Sequence, residues 1–266
     1  MYKAGLRLLR YSSFARGLSR VLHNEDSLRL STEVMDLRFR NPVGVSAPFD
    51  TLADYRRAFS ALGCSFELIG PLAYGEKIGI RAAVNSLQRH IPASIPVGIV
   101  ITKNPGSTTE DEVQRDYLNA FEYAYDFADM LILDFSDESL GSIHELDFIQ
   151  GITDPVLNTR LSYDTVRPIL LQLSRLLGRE ELEPILDYCL MNGVDGIVTS
   201  GGTRQVAAIN EFTRGRFPVV ALTGVHKASE AVELFSAGAS LIALDASSGR
   251  FRRSLPRKIL KSLKVK

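Results

Sequence analysis

Five carboxylates, Asp50, Asp134, Asp137, Glu138 and Asp245, stand at or just beyond short apolar runs of the chain. Carboxylates so placed can relay protons or, when clustered, hold a cation. They also repel a phosphate at close range. Gly224 and Ser247-Ser248-Gly249 point the other way, since small residues in such loops offer backbone N–H groups to a phosphate. His226 follows Gly224-Val225 with no base partner nearby in sequence, so it reads as a solvated loop histidine. Cys64 and Cys189 belong to no C-x-x-C and lie in or beside apolar helical stretches. They read as core thiols of a protein from a reducing compartment.

The elements that must position these residues alternate regularly. Strands are expected at 43–47, 66–70, 97–102, 130–135, 169–173, 196–200, 219–223 and 241–244, each a short apolar run suited to burial on both faces. Helical patterns fall at 53–62, 82–89, 110–128, 163–166, 179–191, 228–237 and 255–265, with a poorly defined helix or loop after 200. Thr108 or Thr109 starts the long third helix, and Asn192-Gly193 ends the fifth. Eight buried strands alternating with helices favour a single (β/α)8 TIM barrel over an open doubly wound sheet. No Walker A pattern and no G-x-G-x-x-G at the first β–α unit argue for a nucleotide fold. Residues 33–40 alternate and form a hairpin strand that plugs the barrel bottom. In such a barrel the five acids gather at the functional, C-terminal rim. Asp134 and Asp245 then fall on opposite walls, so no metal site is expected and the acids read as a solvated rim.

Composition sets the outer bounds. The 266 residues carry 31 Lys plus Arg against 31 Asp plus Glu and are 45% apolar, which excludes a disordered chain. No stretch reaches the length of a membrane-spanning helix. No nucleic-acid partner is expected at zero net charge, but the balance is uneven. Residues 1–23 hold five bases and no acid, residues 250–266 hold eight bases and no acid, and the middle keeps 18 bases against 31 acids. Residues 1–28 read as a helical N-terminal extension with Phe14, Leu18, Val21 and Leu22 at helical spacing, and residues 29–266 as the barrel. A basic amphipathic segment of this kind can lie on an anionic membrane surface, while the plainer reading packs it on the body with its arginines in water.

Asn41-Pro42-Val43-Gly44, Phe49-Asp50, Thr102-Lys103-Asn104, the segment from Asp116-Tyr117 to Ala128-Asp129, Gly193-Val194-Asp195-Gly196, Thr223-Gly224-Val225 and Ala237-Gly238-Ala239-Ser240-Leu241 form one further pattern. Together they make the chain resemble, over nearly its full length, the dihydroorotate dehydrogenases of the quinone-linked, membrane-associated class. The resemblance implies a barrel that holds FMN with a dihydropyrimidine stacked on it, a serine base that removes a proton, and a flavin that accepts a hydride. It places FMN-contacting positions at Ala47, Thr51, Val100, Gln172, Gly201, Gly224 and Ser247, substrate-reading positions at Asn85, Asp134 and Ser139, and the base position at Asp137.

Most of these positions depart from the family. Thr51 and Gln172 stand where the family has lysines, and Val100 and Gly201 where it has asparagines. Asp137 replaces the base serine, while Asp134 and Ser139 replace asparagines. Thr223 replaces a turn glycine, Asp245-Ala246-Ser247 replaces Y-T-G, and the loop after the second strand shortens to Pro71-Leu72-Ala73-Tyr74-Gly75. Losing cations and N–H donors while gaining carboxylates turns the site against an anionic substrate. The expectation is a dihydroorotate-dehydrogenase-like barrel without dihydroorotate oxidation and with weak or lost FMN binding. It would be cytoplasmic, peripheral on the inner face of the membrane through residues 1–23, and would act through a protein partner or as a homo-oligomer. Two readings stay open beside it: an active FMN-dependent dihydroorotate dehydrogenase of pyrimidine biosynthesis with Asp137 as base, and a different barrel enzyme for a phosphate-bearing ligand at the seventh and eighth strand ends.

Overall fold

The computed structural model describes Leu9 and residues 30–89, 95–137, 145–247 and 251–264. The N-terminal extension, Glu138, Ser139, Ser248 and Gly249 lie outside the described residues.

Two short strands, β1 (Thr32–Val34) and β2 (Leu37–Phe39), pair antiparallel as a hairpin. Met35 and Asp36 between them both adopt positive φ, 56° and 57°, the backbone twist a two-residue hairpin requires. Eight parallel strands follow: β3 (Val43–Ser46), β4 (Glu67–Leu72), β5 (Val97–Ile101), β6 (Met130–Phe135), β7 (Ile169–Leu173), β8 (Gly196–Thr199), β9 (Val219–Thr223) and β10 (Leu241–Asp245). They close in chain order, with β10 bonded back to β3. The helices are α1 (Arg56–Ala61), α2 (Ile80–Arg89), α3 (Glu110–Ala124), α4 (Leu146–Arg160), α5 (Arg179–Asn192), α6 (Gly202–Thr213), α7 (Ala228–Ser236) and α8 (Leu255–Lys264). The chain is a (β/α)8 barrel.

Strand residues alternate between two cores. One set faces the helices and forms the larger core with Phe59, Phe121, Ile152, Leu186 and Leu260. The other fills the lumen with Phe66, Leu68, Val100, Met130, Ile132, Leu170, Val198 and Val220. The hairpin closes the bottom of that lumen. Phe39 is fully buried and meets Phe66 edge to face at 5.4 Å, and Met35 lies against Gly196 at the start of β8. Gly44 makes room for the Phe66 ring, since a Cβ there would sit 2.5 Å from it.

Differences from the sequence reading are local. Strand β4 runs on through Pro71 to Leu72 rather than stopping at Gly70. The helix expected at 163–166 is absent; that segment is a bend, and the helix lies upstream as α4. Its interior Pro155 argues against a helix on local grounds. Burial of Phe148, Ile149, Ile152, Val156 and Leu157 along one face outweighs it. The indistinct stretch after residue 200 is α6, with Gln205, Val206 and Ile209 buried. The third helix starts on the expected capping box, with the Glu112 amide donating to Thr109 Oγ1 at 3.3 Å. Among the described residues no helix is long and apolar enough to cross a membrane.

Candidate functional site

Lumen-facing residues at the C-terminal strand ends form the rim, and its two sides are built differently. Register places Asp134 of β6 beside Gln172 of β7. The Asp134 carboxylate accepts from the Ser136 amide at 2.9 Å, from Ser136 Oγ at 2.6 Å and from Gln172 Nε2 at 2.8 Å. Gln172 Nε2 also lies 2.9 Å from Ser136 Oγ. The Tyr117 hydroxyl donates to the Asp134 carbonyl, and its ring stacks on Phe135 at 5.6 Å. Asp134 and Gln172 are 6% and 9% exposed, so these two side chains are withdrawn from solvent, while Ser136 is half-buried. Burial is the largest influence on Asp134 and pushes its pKa up; the three donors act against it, and the nearby charge of Asp137 adds to the rise. Asp137 itself is exposed at the rim.

Across the barrel, Ser46, Pro48, Ser200, Thr223, Gly224, Asp245 and Ser247 line a cleft of about 320 Å³. Here too a carboxylate serves its own loop: Asp245 accepts from the Ser247 amide at 2.8 Å and from Ser247 Oγ at 2.6 Å. Gly224 is exposed, with nothing within 4 Å of where a Cβ would stand.

The remaining expected positions scatter. Val100 is part of the lumen core. Ala47 turns its side chain to the helix layer, and its amide donates to the Leu68 carbonyl at 2.9 Å. Thr51 is half-buried in the turn before α1. Gly201 is the residue before α6, and its amide donates to Thr199 Oγ1 at 3.0 Å. Asn85 is exposed on α2. Asn104 ties three segments together. It accepts from the Gly75 amide at 2.8 Å, its amide donates to Asp116 at 2.8 Å, and its side chain donates to the same carboxylate. The acid of Phe49-Asp50 accepts from the amides of Asp54 at 2.8 Å and Tyr55 at 2.6 Å and so shapes the start of α1. His226 stays in an exposed loop, its amide donating to Glu230 at 2.8 Å.

Sequence reasoning missed Ser46 and Ser200 as cleft residues and the role of Ser136 as the link in the Asp134 network. The signal was strand register: these serines share the inward phase of the lumen residues two positions earlier. It also missed Glu67, which faces outward from β4, is fully buried, and has no N–H or O–H donor in reach of either oxygen. Burial first, and the neighbouring Asp50 second, raise its pKa well above the ordinary carboxylate range. Cys64 and Cys189 are fully buried thiols; burial raises both, Cys189 to about 12.

No family model matches the chain. It is 27% identical to a dihydroorotate dehydrogenase (quinone) of Thermosynechococcus vestitus over 88% of this chain and 81% of that one. It is 25% identical to the enzyme of the same name from Christiangramia forsetii, over 81% and 79%. Among solved structures, ligand-free DHODH of Eimeria tenella superposes with a TM-score of 0.81 at 17% identity, covering 98% of this chain and 92% of that one. The chain is thus similar in sequence, over most of its length, to quinone-linked dihydroorotate dehydrogenases, and it shares their barrel fold.

Proposed function

We propose that the chain is a dihydroorotate-dehydrogenase-like barrel that no longer oxidises dihydroorotate and no longer holds FMN tightly. The observation that carries this reading is the closed Asp134–Ser136–Gln172 network. At the position where the resemblance implies a lysine cation, Gln172 instead supplies a neutral amide already bonded to Asp134. A carboxylate that takes three internal donors has little left with which to read a ligand.

The residues at the strand ends fit FMN poorly. The Ser247 amide, which a phosphate nest would use, donates to Asp245, and that carboxylate faces the space a phosphate dianion would enter. A cleft of about 320 Å³ stands at the lower end of the range for small-molecule sites, while a flavin with a dihydropyrimidine stacked on it is a large ligand. The basic segment 1–23 supports a peripheral contact with an anionic membrane surface. Deleting it is expected to reduce sedimentation with anionic vesicles.

The visible spectrum of the purified full chain, before and after addition of FMN, tests the main reading. The expected result is a protein that retains no stoichiometric flavin after desalting and shows no change on adding dihydroorotate. Stoichiometric yellow flavin bleached by dihydroorotate would overturn it and would favour the active reading with Asp137 as base.

A further inference from the structure

A second cleft, of about 480 Å³, opens between the loop leaving β7 and the start of α6, and it shares no lining residue with the strand-end cleft. Arg175, Arg179 and Arg204 line it, with Gln205, Leu177 and Leu182, and no carboxylate is among its lining residues. In a chain whose middle holds 31 acids against 18 bases, three guanidinium groups around one concavity are a local reversal of sign.

The three arginines differ in how they are engaged. Arg179 pairs with Glu183 at 2.5 Å and approaches Glu211 at 3.7 Å. Arg175 and Arg204 are exposed and have no acidic partner among the described residues. Arg204 also sits in the first turn of α6, which has no acidic residue and no side-chain cap. A cation there meets the positive end of the helix dipole. The first turns of α3 and α5, by contrast, carry Glu110, Asp111 and Glu112, and Glu180 and Glu181. Among the described residues Arg175 and Arg204 thus carry positive charge beside the start of α6 with no acidic partner.

The floor of the cleft is rigid. Leu177 and Leu182, 8% and 3% exposed, form its packed base, and Leu176, 59% exposed, gives it an apolar patch. Gln205 is 6% exposed. It accepts from Thr199 Oγ1, and its Nε2 donates to the Ser174 carbonyl at 3.0 Å. A primary amide has two N–H groups, and the second has no acceptor among the described residues.

We propose that this cleft binds a small phosphate monoester of mononucleotide size. The phosphate lies between Arg175 and Arg204, where guanidinium forks match its oxygens, and the organic body covers Leu176. The volume lies within the range of small-molecule sites. The site shares no lining residue with the strand-end cleft, but Gly201, which the resemblance places among the FMN positions, lines it.

Titration calorimetry of the full chain at low ionic strength, first with inorganic phosphate and then with AMP, tests this. Both probes are expected to bind, AMP more tightly. R175A/R204A is expected to weaken both by about tenfold or more with an unchanged melting temperature, since both side chains are exposed. R175K/R204K, which keeps the charge and loses the fork, is expected to fall between. Glu183→Gln frees Arg179 and is expected to tighten binding. Absence of binding by the unsubstituted chain at millimolar probe, or unchanged affinity in R175A/R204A, would overturn the site. AMP no tighter than phosphate would overturn the assignment of ligand class.

Discussion

The β6–β7 wall of the barrel mouth and the β9–β10–β3 wall carry the same local device, an aspartate that accepts from the amide and hydroxyl of a serine two residues on. Asp134 with Ser136 is one case and Asp245 with Ser247 the other. Their surroundings differ. Asp134 is 6% exposed and has a third donor from the neighbouring strand, whereas Asp245 is half-buried and lines an open cleft. One loop motif thus seals one wall and leaves the other accessible, and burial with cross-strand register makes the difference.

The largest expected effect follows from that contrast. Asp134→Ala leaves the Ser136 amide, the Ser136 hydroxyl and the Gln172 amide without their acceptor, with Gln172 buried and Ser136 half-buried. It should cost about 2–4 kcal/mol in urea unfolding. Asp245→Ala strips two groups that water can reach, and the expected loss is about 0.5–1 kcal/mol. Equal losses would break the distinction between a sealed and an open wall.

The barrel was legible in the sequence because each strand is a short apolar run and each run is buried on both faces. Helix α4 was not: the sequence reading put a helix only at 163–166, and burial of Phe148, Ile149, Ile152, Val156 and Leu157 on the barrel reveals it upstream. The rim residues were legible by position, since they end strands. Their pairing was not: Asp134 and Gln172 are 38 residues apart and meet only because β6 and β7 are neighbours in register. Glu67 could not be placed at all, since an acid at the head of an apolar run gives no sign of which face it takes.

Glu67 extends the comparison to an acid with no donor. The folded chain holds its proton more tightly than the unfolded chain, whose ordinary value is 4.5. Its contribution is therefore fully present below 4.5 and is lost as pH rises toward the folded-state value. Glu67→Gln keeps the shape, removes the titration, and is expected to raise the melting temperature by about 2–4 °C at neutral pH. The gain should shrink as pH falls from the folded-state value toward the unfolded value of 4.5. A gain independent of pH would mean that Glu67 is charged in the folded chain.

The smallest expected effect concerns Asp137, which is exposed and acts on the sealed wall through its charge. Asp137→Asn removes a like charge beside Asp134, so the Asp134 proton is held less tightly. The Asp134 pKa is raised, hence stability from that group declines as pH rises above its ordinary 3.8. The variant should flatten that decline while changing stability at any one pH by no more than about 0.5 kcal/mol. A residue at the rim that serves only as a neighbouring charge leaves this signature in pH-dependent unfolding. A residue serving as a proton acceptor for substrate would instead show its loss in flavin bleaching by dihydroorotate. The two measurements on one variant separate a rim that has become structure from a rim that still does chemistry.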